Sequence, residues 1–482
     1  MSSQNQIFQR LSWVDWIWVL IGGLILSGCS GRANRVLEPV DVQLKWVHQA
    51  QFAGFYSGEK EGFYREENLD VTLRPGDTHL TPAEIINNLV SGETDFAIVG
   101  GDQLIAARFR GEPVVAIAVI FQNNPYVYVS LKGSGIQRPQ NLVGKKVMVP
   151  PDAEVIHRAL MEKLEVNLES IEHVPYERDT TPLMSEEIDA HLVYRTGLGL
   201  ALEETGVDFN WMWVNDYGVH FYADTIVTRE ALIQENPELV RRFLQASIKG
   251  WRYAIENPAH AVDLTLQYDS DLTRDRQARM VEAQTPLIHT GEVKIGWMER
   301  DVWKSMQQML IEQDVLAIED IERKANQTAQ NMASYIHRHP DMTLEELQDD
   351  PQVWDIAVQT VGETGYTVVA DAATGRPYFH PHPDIVGEDP SQSREAFPSM
   401  WEIIDRTIGT TCQDASGFYE WSADGESREK YTQLVCVDAE TADGKRLFVG
   451  ASTFLADYDL KKTDVDSLFT MRFLSGFYEG SE

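Results

Sequence analysis

Eight consecutive apolar residues, VVAIAVIF at positions 114–121, constrain this chain more than any other feature. A strand with one wet face alternates apolar and polar residues, so an unbroken run of this kind reads as a strand buried on both faces. The segments before it agree. DVQLKWV reads as a strand, QAQFAGFYSGEKEGFYREENLDVTLRPG as a helix of small and aromatic residues, a turn and a second strand at 71–73. A helix at 82–91, a strand at 96–99 and a helix at 103–110 follow. Strand, helix, strand in succession makes a parallel unit, and the fold class is α/β.

A second α/β unit runs from about 134 to 213, opening with a strand at 146–149 and a helix at 153–164. The chain then returns through WMWVNDYGVHFYADTIVT into amphipathic helices at 236–257, 274–285 and 299–313. PYVYVSLKGSG and VNDYGVHFYADT are the two crossings, which divides residues 38–330 into lobe 1 (about 38–130 and 217–330) and lobe 2 (about 131–216). Two lobes joined by two crossings enclose a cleft, the usual seat of a small ligand. From about 344 the texture changes to a helix and then short aromatic-rich strands punctuated by Gly, Asp and Pro, so 343–482 reads as a separate α+β domain.

The length of 482 residues suits about three compact units, and 43% hydrophobic with 24% charged residues is ordinary globular composition. With 41 Lys and Arg against 75 Asp and Glu, the net charge of -34 repels phosphate backbones and anionic lipid surfaces; nucleic acid is excluded as a partner and the charge is read as solubility.

The apolar run WIWVLIGGLIL has 11 residues, too short for a span and suited to a signal-peptide core. The following LSGC resembles a bacterial lipoprotein box. Residues 1–29 are expected to be a lipoprotein signal peptide with Cys29 the acylated residue; Arg10 as sole positive residue before the run, and Asp15, leave an uncleaved anchor as the alternative. The remainder would be extracytoplasmic, tethered to a membrane by lipid. In that compartment Cys412 and Cys436 can form a disulfide, with two buried thiols as the alternative. No CxxC or Cys/His spacing suggests zinc.

Trp46, Phe52, Phe55 and Tyr56 cluster at the end of the first strand and the start of the first helix, where ligands of open α/β sheets lie. A flat heteroaromatic ring would stack there, with Gln51, Asp102 and Asp224 bonding ring nitrogens or an amino group. Tyr217 and Tyr222, on the second crossing, are further candidates. Phe52 and Phe55 also have the spacing of core residues. Backbone amides at Gly100, Gly101 and Asp102 could receive a carbonyl or anion at a helix end, although a tight strand-to-helix turn explains the glycines equally well. His337 with His339 and His380 with His382 could each hold a metal on a strand, but loop or surface histidines are favoured; no metal and no cofactor is expected.

The blocks LKWVHQAQFAGFYSGEKEGFYREENLDVTLRPG, SGETDFAIVGGDQLIAAR, SGIQRPQNLVGKKV, DYGVHFYADTIVT, NPELVRRFLQASIKGWRYAIENP and IGWMERDVW, in order over about 41–325, resemble the periplasmic binding proteins for thiamine-pyrimidine and related precursors that serve ABC importers. The resemblance implies a two-lobed, type II-like periplasmic-binding-protein fold, a small pyrimidine-like ligand and an ABC permease as partner. The eukaryotic pyrimidine synthases of the same superfamily use their own histidine as substrate and an iron site near a cysteine-rich run. Gln51 takes that histidine's place here, although His48 is near, and no cysteine lies between Cys29 and Cys412. No catalytic residue is expected, and no nucleophile elbow, HExxH or phosphate loop is present.

GYTVVAD, then Gly375, His380-Pro381 and Gly387, resembles the Cache sensory domains of extracellular receptors. That resemblance puts Tyr366 and His380 forward as pocket residues and offers a second function, a ligand-sensing component of a membrane signalling system. The tail SLFTMRFLSGFYEGSE is too short and polar to span a membrane.

Overall fold

The computed structural model describes residues 36–76, 80–291, 293–312, 314–409, 411–423, 426–455 and 464–479. The expected signal segment, Cys29 included, lies outside them. Among the described residues no helix is long and apolar enough to cross a membrane.

The strands in chain order are β1 (Glu38–Gln43), β2 (Leu69–Arg74), β3 (Phe96–Val99), β4 (Val114–Phe121), β5 (Tyr126–Leu131), β6 (Lys146–Met148), β7 (Glu172–Val174), β8 (Ala190–Tyr194), β9 (Phe209–Trp213) and β10 (Ala223–Arg229). They make two five-stranded sheets, ordered β2-β1-β3-β10-β4 and β7-β6-β8-β5-β9. In the first, β1 runs parallel to β2 and β3, while β10 is antiparallel to both β3 and β4. The antiparallel insertion follows from the return crossing, which brings β10 back from the second lobe. Every residue of β4 is buried, as its unbroken apolar run requires.

The first crossing differs from its expected position. Tyr126–Leu131 does not link the lobes; it is strand β5, paired with β8 and β9, so the link shortens to 122–125. Alternate tyrosines and valines gave this segment two buried faces, which a linker does not need.

In lobe 1 the helix Pro237–Glu256 lies against Ala53–Lys60 at backbone contact. A Cβ added to Gly250 would stand 2.2 Å from the Gly54 carbonyl oxygen, and one on Gly54 would stand 2.1 Å from the Trp251 ring. Gly54, Gly58 and Gly250 are therefore an interhelical packing device.

The third sheet is built of β11 (Thr360–Val361), β12 (Gly365–Asp371), β13 (Pro377–Phe379), β14 (Ala415–Ala423), β15 (Glu426–Glu440) and β16 (Arg446–Phe454), ordered β11-β12-β16-β15-β14 with β13 on β12. Its main partner is the helix Val315–Arg338, whose Ile318, Ile321, Ala325, Met332 and Ile336 are buried against Val369, Phe379, Val435 and Val449. The boundary expected at 330 thus moves toward the amino terminus, because most of this helix's apolar stripe faces the third sheet and only its start, at Leu316, stays in the lobe 1 core. The helix Pro398–Thr407 covers the opposite face with Ile403 on Tyr419 and Leu434. Cys412 and Cys436 are joined in a disulfide.

The third domain does not end the chain. Residues 464–479 come back to lobe 1, where Ala116 donates to the Leu468 carbonyl at 2.9 Å and Thr470 donates to that of Ala116 at 2.9 Å, along the outer edge of β4. Leu468, Phe473, Leu474 and Tyr478 join the lobe 1 core, and Arg300 grips Asp466 at 2.6 and 3.1 Å. The terminal segment covers an apolar strand edge that would otherwise be open to pairing. The expected domain 343–482 is therefore an insertion between two lobe 1 anchors, 300–312 and 464–479.

Candidate ligand site between the lobes

Lys45 stands just past β1 and Asp224 just inside β10, adjacent in space at the lobe 1 rim. Asp224 has φ 47°, the left-handed region that costs a non-glycine residue energy and is kept where the surroundings over-determine it. The surroundings are three partners. Oδ1 lies 3.2 Å from Lys45 Nζ and accepts the Tyr194 hydroxyl at 3.3 Å, while Oδ2 accepts Gln51 Nε2 at 2.8 Å. Tyr194 ends β8, so this carboxylate bonds across the cleft.

Gln51 is held in place by its own neighbours. Gln49 Nε2 donates to Gln51 Oε1 at 2.7 Å. Two buried glutamines of the helix Arg274–Ile288 clamp the turn it sits in: Ala50 N donates to Gln277 Oε1, and Gln284 Nε2 donates to the Ala50 carbonyl, both at 2.7 Å. With both its N–H and its carbonyl bonded to buried side chains, Ala50 is fixed in one conformation.

From lobe 2, Tyr126 donates to Asp152 Oδ2 at 2.6 Å and meets Tyr194 edge-to-face, centroids 5.1 Å apart. Lys45 Nζ lies 5.5 Å from the Tyr194 centroid. At the rim the Arg178 guanidinium, from lobe 2, covers the half-buried Trp46 ring at 4.0 Å. A second seam, Arg279 with Glu203 and Glu204 at 3.1 and 3.3 Å, ties the helix Arg274–Ile288 to lobe 2.

Burial shifts the titration of the set. Asp102 is pushed up to about 6 by desolvation, against the pull of Lys45 and of backbone amides. Burial alone would lower Lys45, but Asp224 and then Asp152 overcome it and its pKa is raised. Tyr126 and Tyr194 are driven well above the usual range by burial and by the carboxylates beside them, so both are hydroxyl donors at neutral pH.

Of the residues predicted to bind ligand, Gln51, Asp102 and Asp224 come together, with Trp46 at the rim. Others are placed elsewhere. Phe52 and Phe55 lie inside lobe 1, Phe55 edge-on to Trp251 at 5.6 Å. Tyr56 is fully buried, stacked on Tyr268 at 4.0 Å with its hydroxyl 3.0 Å from His48 Nδ1. Tyr222 turns into the same interior, edge-on to Trp303 at 5.3 Å, its hydroxyl accepting from Glu299 N at 2.9 Å. These rings serve the core because their helical spacing, or in Tyr222 the crossing strand, points them at the sheet. Tyr217 closes a short turn, Val214–Tyr217, beside lobe 2, where Lys163 Nζ donates to the Gly218 carbonyl at 2.8 Å, and its ring is partly buried. The amides expected to face an anion are already committed: Gly100 N donates to Gln103 Oε1 at 2.8 Å and Gly101 N to the Tyr222 carbonyl at 3.0 Å. Lys45, Tyr126, Asp152 and Tyr194 were missed. A single lysine after a strand carries no pattern, and the tyrosines read as ordinary strand alternation.

In the third domain Tyr366 meets His380 and His382 edge-on, at 5.1 and 5.8 Å. His382 N donates to His380 Nδ1 at 3.1 Å, and burial lowers the His380 imidazole to about 4. His337 and His339 lie at the end of a helix, not on a strand. Among the described residues no group of three or more His, Cys, Asp or Glu is placed to hold a metal.

Comparison with known proteins places these observations. The chain is 24% identical over 294 residues to the riboflavin-binding protein RibY of Chloroflexus aurantiacus, covering 58% of this chain and 82% of that one. It is 27% identical over 259 residues to the formylaminopyrimidine-binding protein of Halalkalibacterium halodurans, covering 52% and 77%. A 4-amino-5-hydroxymethyl-2-methylpyrimidine phosphate synthase of Legionella pneumophila is 26% identical over 243 residues, covering 47% and 73%. Among solved structures, the periplasmic aliphatic sulphonate binding protein SsuA of Escherichia coli aligns with TM-score 0.47 at 13% identity, covering 56% and 85%. Residues 49–261 match the model of the NMT1/THI5 like family, and that segment contributes both Gln51 and Asp224.

Proposed function

We propose that this protein is an extracytoplasmic, lipid-anchored solute-binding protein that captures a small nitrogen heterocycle of the thiamine-pyrimidine type between its lobes and hands it to an ABC permease. The observation that carries the reading is Asp224, a carboxylate bonded from both lobes at once, through Gln51 and Lys45 on one side and Tyr194 on the other. Groups that pair with each other across a closed cleft are the groups a ligand engages when it enters. Closure is then set by the difference in ligand affinity between open and closed states. Two similar proteins named for binding a flavin and a pyrimidine support a flat heterocycle as cargo. No bond is made or broken in this scheme; the similar synthases are the reason to test turnover directly.

The test is thermal unfolding of the purified protein with pyrimidine and flavin compounds at millimolar concentration. A ligand at 100 times its Kd stabilises by about 2.7 kcal/mol. A shift with one class of heterocycle is expected; no shift with any of them removes the ligand assignment.

A second reading rests on the third domain being inserted between two lobe 1 anchors. An insertion held at both ends is mechanically joined to the binding lobes, and its Cache-like candidates Tyr366 and His380 meet at 5.1 Å. On this reading the protein is a sensor, passing cleft occupancy to a membrane signalling partner. Crosslinking in native membranes, recovering either a permease or a signalling receptor, separates the two.

A further inference from the structure

Resting on the interlobe site just proposed, we infer that the cleft admits an uncharged or cationic heterocycle that presents N–H donors, and rejects the same heterocycle once it carries a phosphate. The first observation is the balance of charge. Asp102, Asp152 and Asp224 converge on the site from both lobes, while Lys45 is the ammonium among them and is already spent on Asp224 at 3.2 Å. Arg178, the nearby guanidinium, is stacked on Trp46 at 4.0 Å.

The second observation is independent of charge counting. The helix Gly101–Phe109 begins beside this site, its first-turn Asp102 acting on Lys45 and on Tyr194, and a helix amino terminus is the usual berth for a phosphate. That berth is filled. Gly100 N and Gly101 N are used by Gln103 and by the Tyr222 carbonyl, and the Asp102 carboxylate folds back onto the amides of Gln103 and of Asp102 itself. It lies so close that a Cβ at Gly100 would be 2.4 Å from Asp102 Oδ1. A ligand phosphate would find an anion where a donor nest would have to be, and like charges brought together in a buried site cost several kcal/mol. An amino group finds acceptors instead.

Titration calorimetry of the full chain at neutral pH, with two matched pairs of probes, decides the matter. The pairs are 4-amino-5-hydroxymethyl-2-methylpyrimidine with its monophosphate, and riboflavin with its monophosphate. The expected result is binding of at least one parent compound with its phosphate ester roughly 100-fold weaker or worse. An ester that binds as tightly as its parent, or in its place, overturns the inference while leaving a heterocycle site standing. Binding of none of the four overturns both. Asp102→Asn, which keeps the shape and removes the charge, is expected to narrow the discrimination to under about 10-fold. An unchanged ratio in that variant overturns the assignment of the discrimination to this carboxylate.

Discussion

Lys45 Nζ and Asp224 Oδ1 stand 3.2 Å apart on one lobe, and the same carboxylate oxygen takes the Tyr194 hydroxyl of the other. The pair joins β1's end to β10 and ties lobe 1 to lobe 2 through Tyr194. Asp224→Ala leaves a largely buried ammonium without its partner. Because the Lys45 side chain keeps 19% of its exposure, the expected loss is about 2–3 kcal/mol rather than the full value for a sealed pair. Urea unfolding measures it. Asp224→Asn keeps one acceptor oxygen, for Lys45 and Tyr194 or for Gln51 but not for both sides, and should cost less than the alanine.

Asp102 makes stability depend on pH in an unusual direction. Its carboxyl holds a proton up to about 6 in the folded protein and only to about 3.8 when unfolded. The folded state therefore binds protons more tightly, and this group's stabilising contribution is present below about pH 4 and is lost as pH rises to about 6. The expected outcome is that Asp102→Asn removes that step from a plot of unfolding free energy against pH, leaving the rest of the profile in place.

Gly250 tests the helix contact. Gly250→Ala drives a methyl to 2.2 Å from a backbone oxygen, with no flexible side chain to move aside. Overpacking of this kind costs about 1–3 kcal/mol, more where only backbone can yield. A lowered Tm with unchanged far-UV circular dichroism is expected.

The returning segment makes a prediction that a terminal appendage would not. Leu474, fully buried in the lobe 1 core, should cost about 2–4 kcal/mol on replacement by alanine. The loss should appear in the unfolding transition that ligand raises, not in that of the third domain. Conversely, reducing Cys412–Cys436, which are 24 residues apart, should lower the third-domain transition by about 3 kcal/mol and leave the other unmoved.

How much of this was legible beforehand depends on the range of the interaction. The apolar run 114–121 and the strand-helix alternation announced the α/β lobes, because those patterns are set by neighbours in the chain. Gln51, Asp102 and Asp224, expected from the sequence as polar partners beside the aromatic cluster, are near one another in the fold. Tyr222 was misread because an aromatic on a crossing segment looks the same whether it faces the cleft or Trp303. Lys45 gave no signal at all, since its meaning comes from Asp224, far along the chain. The same holds for Leu468 and Thr470, whose pairing with Ala116 spans most of the sequence. Helix Val315–Arg338 showed its apolar stripe plainly, yet a stripe does not say which sheet it will cover.

Native mass spectrometry of the intact protein, released gently from membranes and compared with Asp224→Ala, addresses the interlobe site most directly. The expected spectrum shows a non-covalent adduct with the mass of a small nitrogen heterocycle lacking phosphate, absent from the variant. An adduct that persists in Asp224→Ala, or a phosphorylated molecule retained by the native protein, would contradict a donor-selecting cleft built around that carboxylate.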